Sequence, residues 1–114
     1  MRVAAVLALL AAPVAADTYD GTYYWAGTDP VQGCATDGYA EMSIEIDGPR
    51  IFFIETTCEL SNPTALRDMP EATLFDATCS GEGDKWTERM MFYQTYDGIA
   101  VLSRGAARTY SRCE

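Results

Sequence analysis

Apolar and polar residues alternate along most of this chain, which is the pattern of half-buried β-strands. Over residues 39–47 the even-numbered side chains are apolar and the odd-numbered ones are polar, mostly acidic. The turn signal DGPR follows, and residues 51–58 (IFFIETTC) are rich in β-branched and aromatic side chains. These two segments predict an antiparallel hairpin.

Similar patterns predict strands over most of the rest of the chain, in the segments GTYYWAG (21–27), ATLFDATC (72–79), KWTERMMFYQTY (85–96), IAVLS (99–103) and ARTYSRC (107–113). Residues 61–72 break the pattern: Pro63 and Pro70 bracket a stretch in which we expect one helical turn, capped by Ser61 or Asn62. Six to seven strands predict an all-β fold, a small antiparallel barrel or sandwich stapled by disulfides.

The N-terminus has the parts of a cleaved secretory signal. Arg2 precedes an apolar run, Val3–Ala12, and small residues follow at Val14, Ala15 and Ala16. The run is too short to span a membrane. We therefore expect residues 1–16 to be a signal peptide cleaved near Ala16, and residues 17–114 to form a single β domain. The mature protein is expected to be soluble and either periplasmic or secreted.

Cysteine usage agrees with export. The four cysteines lie at least 21 residues apart and the chain has no histidine, which favours two disulfides over a zinc site. A hairpin centred near Gly48 would bring the second cysteine within reach of the first. Symmetry about Asp68–Met69 instead pairs the second with the third and leaves the outer two to join. We prefer this second pairing, which joins Cys58 to Cys79 and Cys34 to Cys113.

Charge narrows the function classes. The chain has 8 basic and 17 acidic residues, a net charge of −9, and removal of Arg2 with the signal makes it −10. Such a field repels nucleic acid and anionic membranes and attracts cationic partners. Without histidine, Ser-His or Cys-His catalysis is excluded. We expect no enzyme activity, no metal and no cofactor, and a monomer.

Residues 79–90, CSGEGDKWTERM, are the most function-like segment. Glu82, Asp84 and Glu88 form a candidate carboxylate cluster for a cation or a basic partner, although calcium-loop spacing is missing. The favoured interpretation is a five-residue hairpin loop, Ser80–Asp84, with Trp86 as a core anchor in the next strand. Ideal alternation points Glu88 inward, and we expect a bulge or exposure at a sheet edge to relieve its burial.

Two further groups are binding candidates. Arg108, Tyr110 and Arg112 share one face of the last predicted strand, as an anion or partner patch, but internal pairing with acidic strands is favoured. An aromatic concentration near the mature N-terminus is assigned to core and barrel-mouth packing rather than to exposed contacts. It comprises Tyr19, Tyr23, Tyr24 and Trp25.

The chain resembles small exported four-cysteine bacterial proteins of uncharacterised function. The resemblance lies in the segments ETTCELSNP and LFDATCSGEGDKWTERM, the later DG and the final Y-x-R-C. The resemblance covers most of the mature chain. It implies the signal, the strands and the bridges, and it implies no catalytic residue and no ligand.

Three function hypotheses follow. The leading one is a binding module that inhibits a cationic protein, such as a lysozyme or a protease, or acts as its adaptor. The second is a small-ligand carrier with a barrel mouth lined by Trp25, Trp86 and nearby tyrosines. The third is a carboxylate-dependent hydrolase using two of Glu82, Asp84 and Glu88.

Overall fold

The computed structural model describes residues 16–34 and 43–113. The predicted signal before Ala16, and residues 39–42 of the strand predicted over residues 39–47, lie outside the described residues. A 3₁₀ turn (Ala16–Tyr19) and a short helix α1 (Pro30–Gly33) accompany eight strands, and no helix in this part of the chain is long and apolar enough to cross a membrane. The strands are β1 (Gly21–Trp25), β2 (Ser43–Asp47), β3 (Arg50–Phe53), β4 (Thr56–Leu66), β5 (Met69–Gly81), β6 (Asp84–Gln94), β7 (Gly98–Ser103) and β8 (Ala106–Arg112).

The strands form a closed antiparallel barrel in chain order, so the all-β prediction is confirmed. Each strand pairs with the next, and β1 pairs with β8, where Trp25 lies opposite Tyr110. We call the end of the barrel where β1, β3, β5 and β7 finish the mouth. The opposite end, where β1 begins at Gly21, is the base.

The barrel has eight strands rather than the predicted six to seven because residues 51–58 are not one strand. The chain turns at Ile54 and Glu55, and Phe53 pairs with Thr56 across the turn. Glu55 has a φ of 60°, in the left-handed region that tight hairpin turns require. No glycine, asparagine or aspartate marks this turn in the sequence.

The helical turn predicted over residues 61–72 is wrong, because these residues belong to the long β4–β5 hairpin. The register shifts between Ser61 and Thr64, where Asn62 has a φ of 53°. Pro63 lies beyond the part of β4 that pairs with β3, which ends at Glu59. The N–H group that proline lacks is therefore not needed for a hydrogen bond to β3, and Pro63 is tolerated.

Aromatic side chains fill the base half of the barrel. Tyr19 is 2% exposed and packs edge-on against Phe75 and Phe92, with ring centroids 6.4 and 5.3 Å away. Its hydroxyl lies 2.8 Å from the buried Thr73 hydroxyl. The Tyr23 hydroxyl donates to the Tyr19 carbonyl at 2.6 Å, which holds the 3₁₀ turn under the barrel. The packing assigned to Tyr19 and Tyr23 is confirmed.

Two disulfides form with the preferred pairing, and the alternative through Cys34 and Cys58 is wrong. The hairpin disulfide, Cys58–Cys79, joins residues directly opposite each other on β4 and β5. The terminal disulfide, Cys34–Cys113, joins α1 to the end of β8. Two intact disulfides are typical of an oxidising, extracytoplasmic environment.

Candidate functional site

The segment CSGEGDKWTERM forms a turn, as favoured, but a tighter one than the predicted five-residue loop. Gly81 pairs with Asp84, so the turn consists of Glu82 and Gly83, with φ values of 52° and 86°. Gly81 is a strand residue, and a Cβ there would collide with the Glu55 carbonyl oxygen. The β3–β4 and β5–β6 turns therefore lie side by side at the mouth.

This contact places two carboxyl groups together. Hydrogen bonding and repulsion between Glu55 and Glu82 raise the pKa of Glu55 above its usual range. Both side chains are exposed, and Asp84 follows directly after the β5–β6 turn, as the first residue of β6. We call these three residues the acidic rim. Within the described residues, no group of three or more acidic or cysteine side chains is placed to hold a metal ion.

Glu88 points inward, as alternation requires, and the expected bulge is absent, because β5 and β6 keep one register from Ala72 to Gly81. Edge exposure relieves its burial instead: β7 pairs with β6 only between Met90 and Gln94. Glu88 Oε2 accepts a hydrogen bond of 3.0 Å from Trp86 Nε1. It lies 3.9 Å from Sγ of Cys79, a disulfide sulfur that has no proton to donate.

Trp86 is 39% exposed, so the expectation that it anchors the core is wrong. The cause is that β7 pairs with β6 only from Met90 onward, so no β7 residue lies beside Trp86. Asp84 and Glu88 lie about 13 Å apart along the strand, at ~3.3 Å per residue. This figure describes the backbone positions and not the carboxyl groups, so the hydrolase hypothesis stays a prediction.

The three residues of β8 have different surroundings. Arg112 Nη1 donates to the Asp20 carbonyl at 3.0 Å, and its guanidinium lies over the Tyr23 ring. The Arg108 guanidinium lies over the Trp25 ring, 4.8 Å from its centroid. Tyr110 is buried below Arg108; burial raises the pKa of the Tyr110 hydroxyl, and the Arg108 charge offsets part of the rise.

The favoured pairing of Arg108 and Arg112 with acidic strand neighbours is wrong for the described residues. The ion pairs found there are Arg50–Glu59 at 3.2 Å and Arg89–Asp76 at 2.9 Å, both exposed. The inner face of β8 explains the difference. Its side chains point into the barrel, where aromatic rings of β1 are the neighbours, whereas the acidic strand positions face outward.

A cavity of about 260 Å³ lies inside the mouth, on the side of the barrel built by β7, β8, β1, β2 and β3. Its polar lining is Arg108, Ser43 and Ser103. Its apolar lining is Ala106 together with Trp25, Ile44, Phe53, Ile54, Val101 and Tyr110. Larger depressions, of about 400 to 650 Å³, lie on the outer faces of strands, along the open edge of β6 and at the base.

The cavity exists because the two halves of the barrel are filled differently. At the base, Tyr19, Phe75 and Phe92 occupy the interior. At the mouth, the inward positions at the β7–β8 turn carry the small residues Ser103 and Ala106. An eight-stranded barrel is just wide enough to be filled by side chains or to hold one small ligand, so small residues leave usable space.

Sequence reasoning found only part of this site. It placed Trp25, Trp86 and nearby tyrosines at the mouth and put Arg108 and Tyr110 on one face. Trp25, Arg108 and Tyr110 line the cavity, and Trp86 does not. It missed Phe53 and Ile54, because the turn between β3 and β4 was not recognised. The small inward residues Ser103 and Ala106 were the available signal for free space.

No family model matches the chain, and neither a curated protein nor a solved structure matches it.

Proposed function

We propose that this protein binds a small amphipathic molecule in the cavity at the barrel mouth. The observation that supports the proposal is the cavity itself, about 260 Å³ of space bounded by inward-facing aromatic and aliphatic side chains. Ligand pockets typically combine such a lining with a few convergent polar groups. Here the polar groups are the Arg108 guanidinium and the hydroxyl of Ser103, both on inward-facing positions of the β7–β8 hairpin.

The cavity volume limits the ligand to a small molecule. It corresponds to about nine water molecules, at ~30 Å³ of liquid volume each. An eight-carbon chain is therefore a suitable probe. Trp25 is 42% exposed at the barrel mouth, so a bound eight-carbon chain would cover part of its ring and change its fluorescence.

Titration with octanol tests the proposal with a probe that has no charged group. The chain has two tryptophans, so Trp86→Phe leaves Trp25 as the single reporter. Octanol should shift the Trp25 emission in a saturable way. Ala106→Phe should abolish the shift by filling the cavity, because Ala106 lines it.

Ala107→Phe is the matched control, since Ala107 is exposed and lies on the opposite face of β8. It should leave octanol binding unchanged. Thermal melts of both variants establish that each is folded. Binding that survives Ala106→Phe, or that is lost equally in both variants, would contradict the cavity as the site.

A second candidate function is docking of a cationic protein on the acidic rim, as an inhibitor or adaptor. It is supported by the crowding of Glu55 and Glu82, since a partner's lysine or arginine would relieve the repulsion that raises the pKa of Glu55. Ile54 and Trp86, 41% and 39% exposed, supply apolar contacts beside the rim. Complementary charge would steer a basic partner to this end of the barrel.

Binding to a lysozyme, used as a basic test enzyme, separates this candidate from a general charge effect. Glu55→Gln with Glu82→Gln should weaken binding strongly. The control pair, Glu45→Gln with Asp47→Asn, removes the same charge from exposed positions of β2 and should have a smaller effect. Equal losses would mean that lysozyme responds only to net charge, and absent binding at low salt would count against this candidate.

Export completes the proposal. We propose that residues 1–16 are removed and that the barrel acts in the periplasm or outside the cell, where both disulfides are stable. Mass spectrometry of the exported protein should find Asp17 at its N-terminus. An N-terminus at Met1 would contradict this assignment.

A further inference from the structure

The charge of the mouth cavity selects among small ligands. Among its described lining residues, Arg108 is the charged one, and no carboxylate faces the cavity from them. The inward-facing Ser103 adds a hydroxyl group that can donate a hydrogen bond. An apolar space with one cation and one hydroxyl is complementary to an anion with an apolar body.

The Arg108 side chain is oriented by its neighbours. Its guanidinium lies 4.8 Å from the centroid of the Trp25 ring, a cation–π contact. It forms no ion pair with a carboxylate of the described residues, whereas Arg50 and Arg89 do. Stacking occupies the face of the guanidinium and leaves the N–H groups at its edge available for an acceptor.

The geometry points to a small monocarboxylate as the ligand. We propose that its carboxylate binds the edge of the Arg108 guanidinium and that its aliphatic or aromatic body fills the space against Ile44, Phe53 and Val101. This inference rests on the proposed ligand-binding function and names its substrate class. The planar fork of arginine matches a carboxylate in a bidentate arrangement. The net charge of −9 disfavours dianions such as phosphate esters more strongly than monoanions.

Three probes with the same chain and different head groups test the inference: octanoate, octanol and octylamine. Their dissociation constants are measured by Trp25 fluorescence in the Trp86→Phe background. Octanoate should bind about tenfold more tightly than octanol, which is the value of one charge-assisted hydrogen-bonded contact. Octylamine should bind more weakly than octanol, because its ammonium group would face Arg108.

Arg108→Gln should bring the affinity for octanoate close to the affinity for octanol measured in the same variant. Arg104→Gln is the matched control, because Arg104 lies on the same β7–β8 hairpin and does not line the cavity. It should keep the preference for octanoate. Arg108→Lys keeps the charge without the planar fork, so it should restore only part of the preference.

The possible outcomes separate the two proposals. If no probe binds, the ligand-binding function itself is wrong. If octanol and octanoate bind equally, or if Arg108→Gln leaves the preference intact, the cavity binds ligands but the monocarboxylate assignment is overturned. A preference that both arginine variants reduce equally reflects net charge and also overturns it.

Discussion

Substitution of Tyr19 tests whether the N-terminal segment closes the base of the barrel. Tyr19→Ala removes a ring that is 2% exposed and packs against Phe75 and Phe92. Replacing a buried aromatic side chain with alanine typically costs ~3–5 kcal/mol. Tyr19→Phe keeps the ring but leaves the buried Thr73 hydroxyl without its partner at 2.8 Å, a cost of about 1–3 kcal/mol. Urea unfolding with a constant m value measures both changes.

The control for this prediction is Tyr96→Ala. Tyr96 is fully exposed in the turn before β7, so its removal should change the free energy of unfolding by less than about 0.5 kcal/mol. If Tyr19→Ala costs as little as Tyr96→Ala, Tyr19 does not fill the base. The explanation for why the cavity lies in the mouth half of the described barrel and not in its base half would then be refuted.

Three further predictions concern the mouth and the disulfides. The raised pKa of Glu55 means that its ionised form is destabilised in the folded protein. Glu55→Gln removes this ionised form and should therefore raise the melting temperature at neutral pH. That gain should vanish below the ordinary carboxyl pKa and shrink with salt; a gain that persists in acid would contradict the repulsion from Glu82. Gly81→Ala should lower the free energy of unfolding by about 1–3 kcal/mol through collision with the Glu55 carbonyl, and a neutral result would show that the two turns are not in contact. Serine pairs replacing the terminal disulfide should cost about 4.5 kcal/mol and those replacing the hairpin disulfide about 3 kcal/mol, since the bridges span 79 and 21 residues; the reverse order in urea unfolding would contradict the chain-entropy argument.

The sequence predicted the features that depend on local pattern. Alternation identified most of the strand segments and placed Glu88 on an inward face, because strand parity does not depend on tertiary contacts. The preferred pairing of Cys58 with Cys79 is confirmed, although the hairpin turns at Arg67–Asp68 and not at Asp68–Met69; the register shifts along β4 bring the two cysteines opposite each other.

Features that depend on the closed barrel could not be predicted in this way. The turn at Ile54–Glu55 carries no turn residue, and its left-handed residue, Glu55, lies against Gly81 of β5, which is distant in sequence. The surroundings of Arg108 depend on the pairing of β8 with β1, which are distant in sequence. The exposure of Trp86 depends on where β7 stops pairing with β6.

The most direct test of the central claim is an NMR measurement of intermolecular nuclear Overhauser effects between octanoate and the oxidised protein. Ligand binding at the mouth predicts contacts from the octanoate chain to the methyl groups of Ile44 and Val101 and to the Trp25 ring, all of which line the cavity. The Ala106→Phe variant should lose these contacts. Contacts confined to the outer strand faces or to the base, with none inside the mouth, would contradict the account.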